Sequence, residues 1–97
     1  MRYCCYILYS KSVDRFYIGY TSDFGERLKS HNNGQFGSKS YSFIASDWEV
    51  HLVIPCETIE QAVYIEFKIK KMKSRKYIIN LKKYPELVEK VIKEFKL

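Results

Sequence analysis

The sequence lacks any apolar run that approaches the roughly 20 residues a membrane span requires, which sets an integral membrane role aside. No secretory signal is expected either, because the apolar start carries Arg2 and several tyrosines and no small-residue cleavage site. Cysteine is scarce and odd in number: Cys4, Cys5 and Cys56, with no CxxC or other metal-ligand spacing. That excludes a disulfide framework and a structural zinc site. Cys4 and Cys5 are neighbours in a predicted strand, so they point to opposite faces. All three read as small core residues of a reducing compartment, and a cytoplasmic protein is expected. No internal repeat or linker is present. Acidic residues are the minority, 11 against 17 Lys and Arg, for a formal charge of +6.

What is present is a core-forming composition. The chain has 97 residues, 46% of them hydrophobic and 16% aromatic, which excludes a disordered chain and points to one small domain over residues 1–97. The positive balance suits a polyanionic partner, nucleic acid ahead of an acidic membrane surface. A lysine-rich solvated surface gives the same count.

The patterning predicts three strands and several helices. "RYCCYILYS" and "RFYIGYT" are β-prone and form a hairpin around "KSVD". "SDFGERLKSHN" is spaced as a helix, with Glu26 at capping-box distance from Asp23 and Phe24 and Leu28 as its apolar contacts. "NNGQFGSKSYS" reads as a loop. "DWEVHLVIP" alternates, with Trp48, Val50, Leu52 and Ile54 on one side and Pro55 as its stop. "TIEQAVYIEFKIKKMKS" is the longest helix, with Thr58 as its cap, and "RKYIINLKKY" is a short helix or turn. "PELVEKVIKEFK" is a last helix opened by Pro85. The predicted fold is α/β in the α+β sense: a small, three-stranded, largely antiparallel sheet flanked by helices, in the order β-β-α-β-α-α with a further α.

Three groups of residues stand out. Glu66 lies on the predicted apolar stripe of the long helix, with Ile59, Ala62, Val63 and Ile69. A carboxylate buried there without a partner costs several kcal/mol. A metal ion, an arginine or a solvent-filled cleft removes that cost, and so does a stripe-edge position paired with Lys70. Arg27 and His31 are four apart on the first helix and project together. Arginine offers a planar fork to a phosphate, and histidine moves protons near neutral pH. A surface arginine and a histidine near the helix C-terminus fit the same spacing. Tyr6 and Tyr17 lie on paired strands, with Gly19 on the face of Tyr17, where a glycine leaves room for another group. Most of the nine tyrosines are expected to be half-buried sheet residues. Phenols, an arginine, a histidine and a carboxylate converging on one hollow form an inventory for phosphoryl transfer.

The ordered set "CCYIL", "YIG" at residues 17–19, "TSDFGERLKSHN" and "AVYIEFKIKKMKSRK" resembles the GIY-YIG nucleases over about residues 3–82. It is most similar to their small stand-alone branch, related to the N-terminal nuclease module of the excinuclease C protein. The resemblance implies a metal-dependent endonuclease that hydrolyses phosphodiester bonds, of DNA ahead of RNA, in repair or recombination. It implies that Tyr6 and Tyr17 are the tyrosines of the first and second motifs. Arg27 would bind phosphate, His31 would be auxiliary, and Glu66 would be the single ligand to Mg²⁺ or Mn²⁺. Gly19 and Asn80 are further candidates, and Arg27, Lys29, Lys39, Lys70 and Lys73 are expected to contact nucleic acid. The sequence departs from the pattern at Cys4-Cys5-Tyr6, where the family carries Gly-Ile-Tyr. It departs again at Glu26, where many relatives carry a basic residue. Residues from about 84 to 96 lie outside the motifs and are expected to form a packing helix. The alternative is a module that keeps the fold without catalysis and docks nucleic acid or a protein partner, for which Glu66 has no use.

Overall fold

The computed structural model describes residues 3–23 and 45–96 and, between them, Gly25, Leu28 and Asn32. Strands β1 (Tyr3–Ser10), β2 (Arg15–Thr21) and β3 (Trp48–Cys56) precede helices α1 (Ile59–Met72), α2 (Arg75–Lys83) and α3 (Pro85–Lys96). The strands form one sheet in the order β2-β1-β3, antiparallel throughout. This is the α+β fold the patterning predicts. Of the helix expected over residues 22–32, Gly25, Leu28 and Asn32 are helical. Arg27, Lys29, His31 and Lys39 lie outside the described residues.

Strand β1 is central and apolar on both faces, as a strand covered from both sides must be. On one face Cys5, Ile7, Ile18, Ile54 and Cys56 meet Ala62, Ile65 and Ile69 of α1, with α2 and α3 adding Ile78, Leu81 and Val91. Each aliphatic side chain taken from water there stabilises the fold by about 1.5–3 kcal/mol. On the other face Cys4, Tyr6, Leu8 and Trp48 pack with Tyr17, Leu28 and Val53. Cys4 and Cys5 therefore enter opposite clusters, and all three cysteines are buried thiols.

The helix boundaries follow capping chemistry. The Thr58 side chain accepts the Gln61 N–H, and the Gln61 side chain accepts the Glu57 N–H in return. Ser74 caps α2 by accepting from the Tyr77 N–H. Between the two helices Lys73 takes a left-handed conformation, φ 47°, and donates its N–H to the Lys70 carbonyl. Pro85 opens α3 at its first position.

Two elements, β3 and α1, depart from expectation. Strand β3 does not keep Trp48, Val50, Leu52 and Ile54 on one side. Ile7 pairs with Leu52 but Leu8 pairs with Val50, so His51 is an extra residue in the ladder. One inserted residue reverses the alternation. Trp48 faces Tyr6 and Leu8, while Leu52 and Ile54 turn to the helices. Pro55 does not end the strand either, since pairing continues to Cys56 opposite Tyr3. As an edge strand, β3 tolerates the missing N–H. The second correction concerns α1, whose buried residues are Gln61, Ala62, Ile65 and Ile69. Ile59 and Val63 are 44% and 41% exposed, so the buried stripe is rotated away from them. Glu66 stands at its flank rather than its centre.

Candidate active site

The phenol side of the site is set by the β1–β2 register. Tyr6 is directly opposite Gly19, and Leu8 is opposite Tyr17. The Tyr6 ring lies over Gly19. A Cβ placed on that glycine would stand 2.7 Å from the Tyr6 hydroxyl and 2.8 Å from Cζ, with Tyr17 Cε1 at 3.2 Å. The group for which Gly19 leaves room is thus the Tyr6 phenol itself. The two tyrosine rings stack at 6.4 Å with 28° between their planes, and Tyr17 meets Trp48 edge-on at 6.1 Å. Tyr6 is 2% exposed, whereas Tyr17 is half-buried and within reach of solvent.

Trp48 is held by Asn32. Its N–H donates to Asn32 Oδ1 at 2.7 Å, and its carbonyl accepts from Asn32 Nδ2 at 3.1 Å. One amide side chain so replaces a ladder partner at the end of β3. It also ties the residue immediately after His31 to the aromatic cluster. Sequence reasoning does not single out Asn32. Its place at the end of the helical pattern, directly after His31, is the one signal that points to it.

The carboxylate side belongs to α1. Glu66 pairs with Lys70, four residues on, at 3.2 Å; the two side chains are 19% and 53% exposed. Burial pushes the Cys5 thiol well above its ordinary range, and Cys56 and then the Glu66 charge push it further, while Lys70 opposes. Glu66 and Lys70 are therefore close enough to Cys5 of the central strand for their charges to act on it. Lys70 and Lys73 border Phe16 and Ile18 of β2. Asn80 is half-buried on α2, and its carbonyl accepts the Tyr84 N–H at 2.8 Å.

The described candidates thus fall in two groups. Tyr6, Tyr17 and Gly19 share one face of the sheet. Glu66, Lys70 and Lys73 share the flank of the helix that covers the other face. The groups stand on the two sides of the sheet, so the described residues do not bring the phenols and Glu66 into the one hollow expected for them. Arg27, His31, Lys29 and Lys39 are outside the described residues. Among the described residues no cluster of three or more His, Cys, Asp or Glu gathers as a metal cage, and no helix is long and apolar enough to cross a membrane.

A family model matches residues 2–82, and it describes the GIY-YIG catalytic domain. The chain belongs to the GIY-YIG family. A GIY-YIG catalytic domain is a nuclease domain, so nucleic acid is the substrate class. The match runs from β1 to the last turn of α2, so Tyr6, Tyr17 and Glu66 all lie inside the GIY-YIG domain, while α3 follows it. No curated protein and no solved structure matches the chain.

Proposed function

We propose that this GIY-YIG domain is a divalent-metal-dependent endonuclease that hydrolyses phosphodiester bonds of DNA, in repair or recombination. The observation that carries the reading is the half-buried Glu66 carboxylate on α1, whose partner among the described ion pairs is the exposed Lys70. One carboxylate completed by waters is an ordinary arrangement for Mg²⁺ or Mn²⁺, and the donor set suits such a hard, water-rich ion rather than zinc. The ion would supply charge stabilisation to the scissile phosphate and the leaving oxygen.

The chain's own residues supply the rest. Tyr17 is the better general base of the two tyrosines, because it reaches solvent and Tyr6 does not. An ordinary phenol ionises near pH 10, so a phenolic base needs cations around it. Arg27 would neutralise the phosphate in the transition state, and His31 would relay the proton. Tyr6, packed over Gly19, holds the Tyr17 ring from below. Lys70 and Lys73 would meet the backbone as it passes the edge of β2, joined by Lys29 and Lys39.

A second reading has one observation in its favour. The Glu66–Lys70 contact is also an ordinary i, i+4 ion pair, which a domain that binds nucleic acid or a protein partner without cutting could keep. Cleavage assays on labelled DNA structures with Mg²⁺ and Mn²⁺ separate the two. Metal-dependent products that vanish with Glu66→Ala support the nuclease, and tight binding without products supports the module.

A further inference from the structure

A groove of about 280 Å³ runs between β2 and the corner where α1 passes into α2. Its floor is apolar: Phe16 and Ile18 from the strand, Ile69 and Ile78 from the helices. Its rim is cationic: Arg15, Lys70 and Lys73, all exposed. Among the described residues no acidic side chain lines it. A fourth cation, Arg75, is held at one end, where it pairs with Asp14 and stacks over the Phe16 ring at 5.2 Å. The groove lies on the opposite side of β2 from Tyr17 and Gly19. It connects to Glu66 through Lys70, which belongs to both.

We propose that this groove binds an unpaired nucleotide of the nucleic acid whose backbone crosses the edge of β2, with its phosphates on Arg15, Lys70 and Lys73 and its base on the Phe16–Ile69 floor. The inference rests on the nuclease reading and adds the form of the substrate. Three observations select this occupant. Four rim cations stand against the two carboxylates that pair with them, Glu66 on Lys70 and Asp14 on Arg75, and the remaining positive excess calls for a polyanion. An apolar floor of Ile18, Ile69 and Ile78, with Phe16 carrying the Arg75 guanidinium over its ring, calls for a flat hydrophobic group on that polyanion, because an unpaired base packs on apolar side chains and stacks on an arginine plane inside a basic groove. The volume lies just below the usual span for ligand sites, about 300–1,000 Å³, and suits one nucleotide rather than a folded peptide. A base-paired duplex fills the rim but not the floor, because its bases are stacked on one another. DNA with an unpaired stretch beside the scissile phosphate fills both.

The test uses the full chain without divalent metal, so that no cleavage occurs. The probes are a labelled blunt DNA duplex and the same duplex with an unpaired tail on either strand. The tail should tighten binding about tenfold, the size of one stacked base. Arg15→Glu and Lys73→Glu should abolish that preference and flatten the salt dependence of tailed binding by about one unit of log–log slope each. Lys90→Glu, an exposed charge reversal on α3, should weaken both probes equally and keep the preference. Phe16→Leu keeps an apolar floor without a ring. It should reduce the preference while leaving the salt slope unchanged, with melting curves recorded to confirm folding. Tight binding of both probes with no tail preference overturns the groove and leaves the nuclease reading standing. So does a preference that survives Arg15→Glu and Lys73→Glu, or one that Lys90→Glu removes equally. No binding to either probe overturns both.

Discussion

Tyr6 and Gly19 are one structural unit: the ring of the first occupies the space that a side chain on the second would fill. They are paired across β1 and β2, and the Tyr6 hydroxyl stands 2.7 Å from where a Gly19 Cβ would be. Gly19→Ala forces the buried ring to move, and the same added Cβ would stand 3.2 Å from Tyr17 Cε1. Overpacking of this kind costs about 1–3 kcal/mol. Melting should fall by about 4–8 °C per kcal/mol for a domain of this size. Cleavage should fall further than stability explains, because Tyr17 is displaced with Tyr6. A variant with unaltered melting and cleavage would show that the ring does not depend on the gap.

Asn32 carries a second prediction. Asn32→Ala removes both hydrogen bonds to the Trp48 backbone and leaves that N–H and carbonyl without the amide. The loss should be about 1–3 kcal/mol. Asn32→Asp keeps the acceptor for the Trp48 N–H and loses the donor, so it should fall between wild type and alanine in thermal melts. Equal melting of all three proteins would show that the clamp does not hold the end of β3.

His51 sets a pH dependence. Burial lowers its pKa below the ordinary value, the hydrogen bond to the Ile78 carbonyl opposes this, and the Lys82 charge lowers it further. The carbonyl can only accept, so Nε2 carries the proton of the neutral ring. The unfolded chain, with an ordinary value of about 6.5, binds the proton first. Stability is therefore fully present above about pH 6.5 and falls as pH drops from there toward the lowered folded-state value. Melting at about pH 5.5 should lie below that at about pH 7.5, and His51→Gln should narrow the gap. A ring that titrates above about 6.5 by NMR would reverse the sign.

Much of this is legible in the residues. Strand β1 announces itself through "YCCYILY", and the caps Thr58 and Pro85 fall where helices begin. The GIY-YIG pattern names the candidate residues in order. The alternation of β3 misleads, because the bulge at His51 is fixed by pairing with β1, a tertiary fact that period-2 counting cannot see. The apolar stripe of α1 misleads for a related reason. Ile59 and Val63 have the right spacing, but the sheet selects the face of Ile65 and Ile69, and Gln61 is buried because it completes a cap. The pairing of Arg75 with Asp14 joins residues far apart in sequence and leaves no local pattern. The division of the candidates between two sides of the sheet also depends on packing, since spacing places residues on one element and not across a sheet.

The most direct measurement is cleavage of labelled DNA by wild type and Glu66→Ala, with and without Mg²⁺, alongside affinity and melting. The ion pair with Lys70 is worth only about 0.3–0.5 kcal/mol, so Glu66→Ala should melt close to wild type. Binding should hold or tighten, because a negative charge near the phosphate backbone is gone. Cleavage should fall by orders of magnitude and should depend on the metal in wild type. A folded Glu66→Ala that cuts as well as wild type would contradict the assignment of Glu66, and with it the nuclease mechanism proposed for this domain.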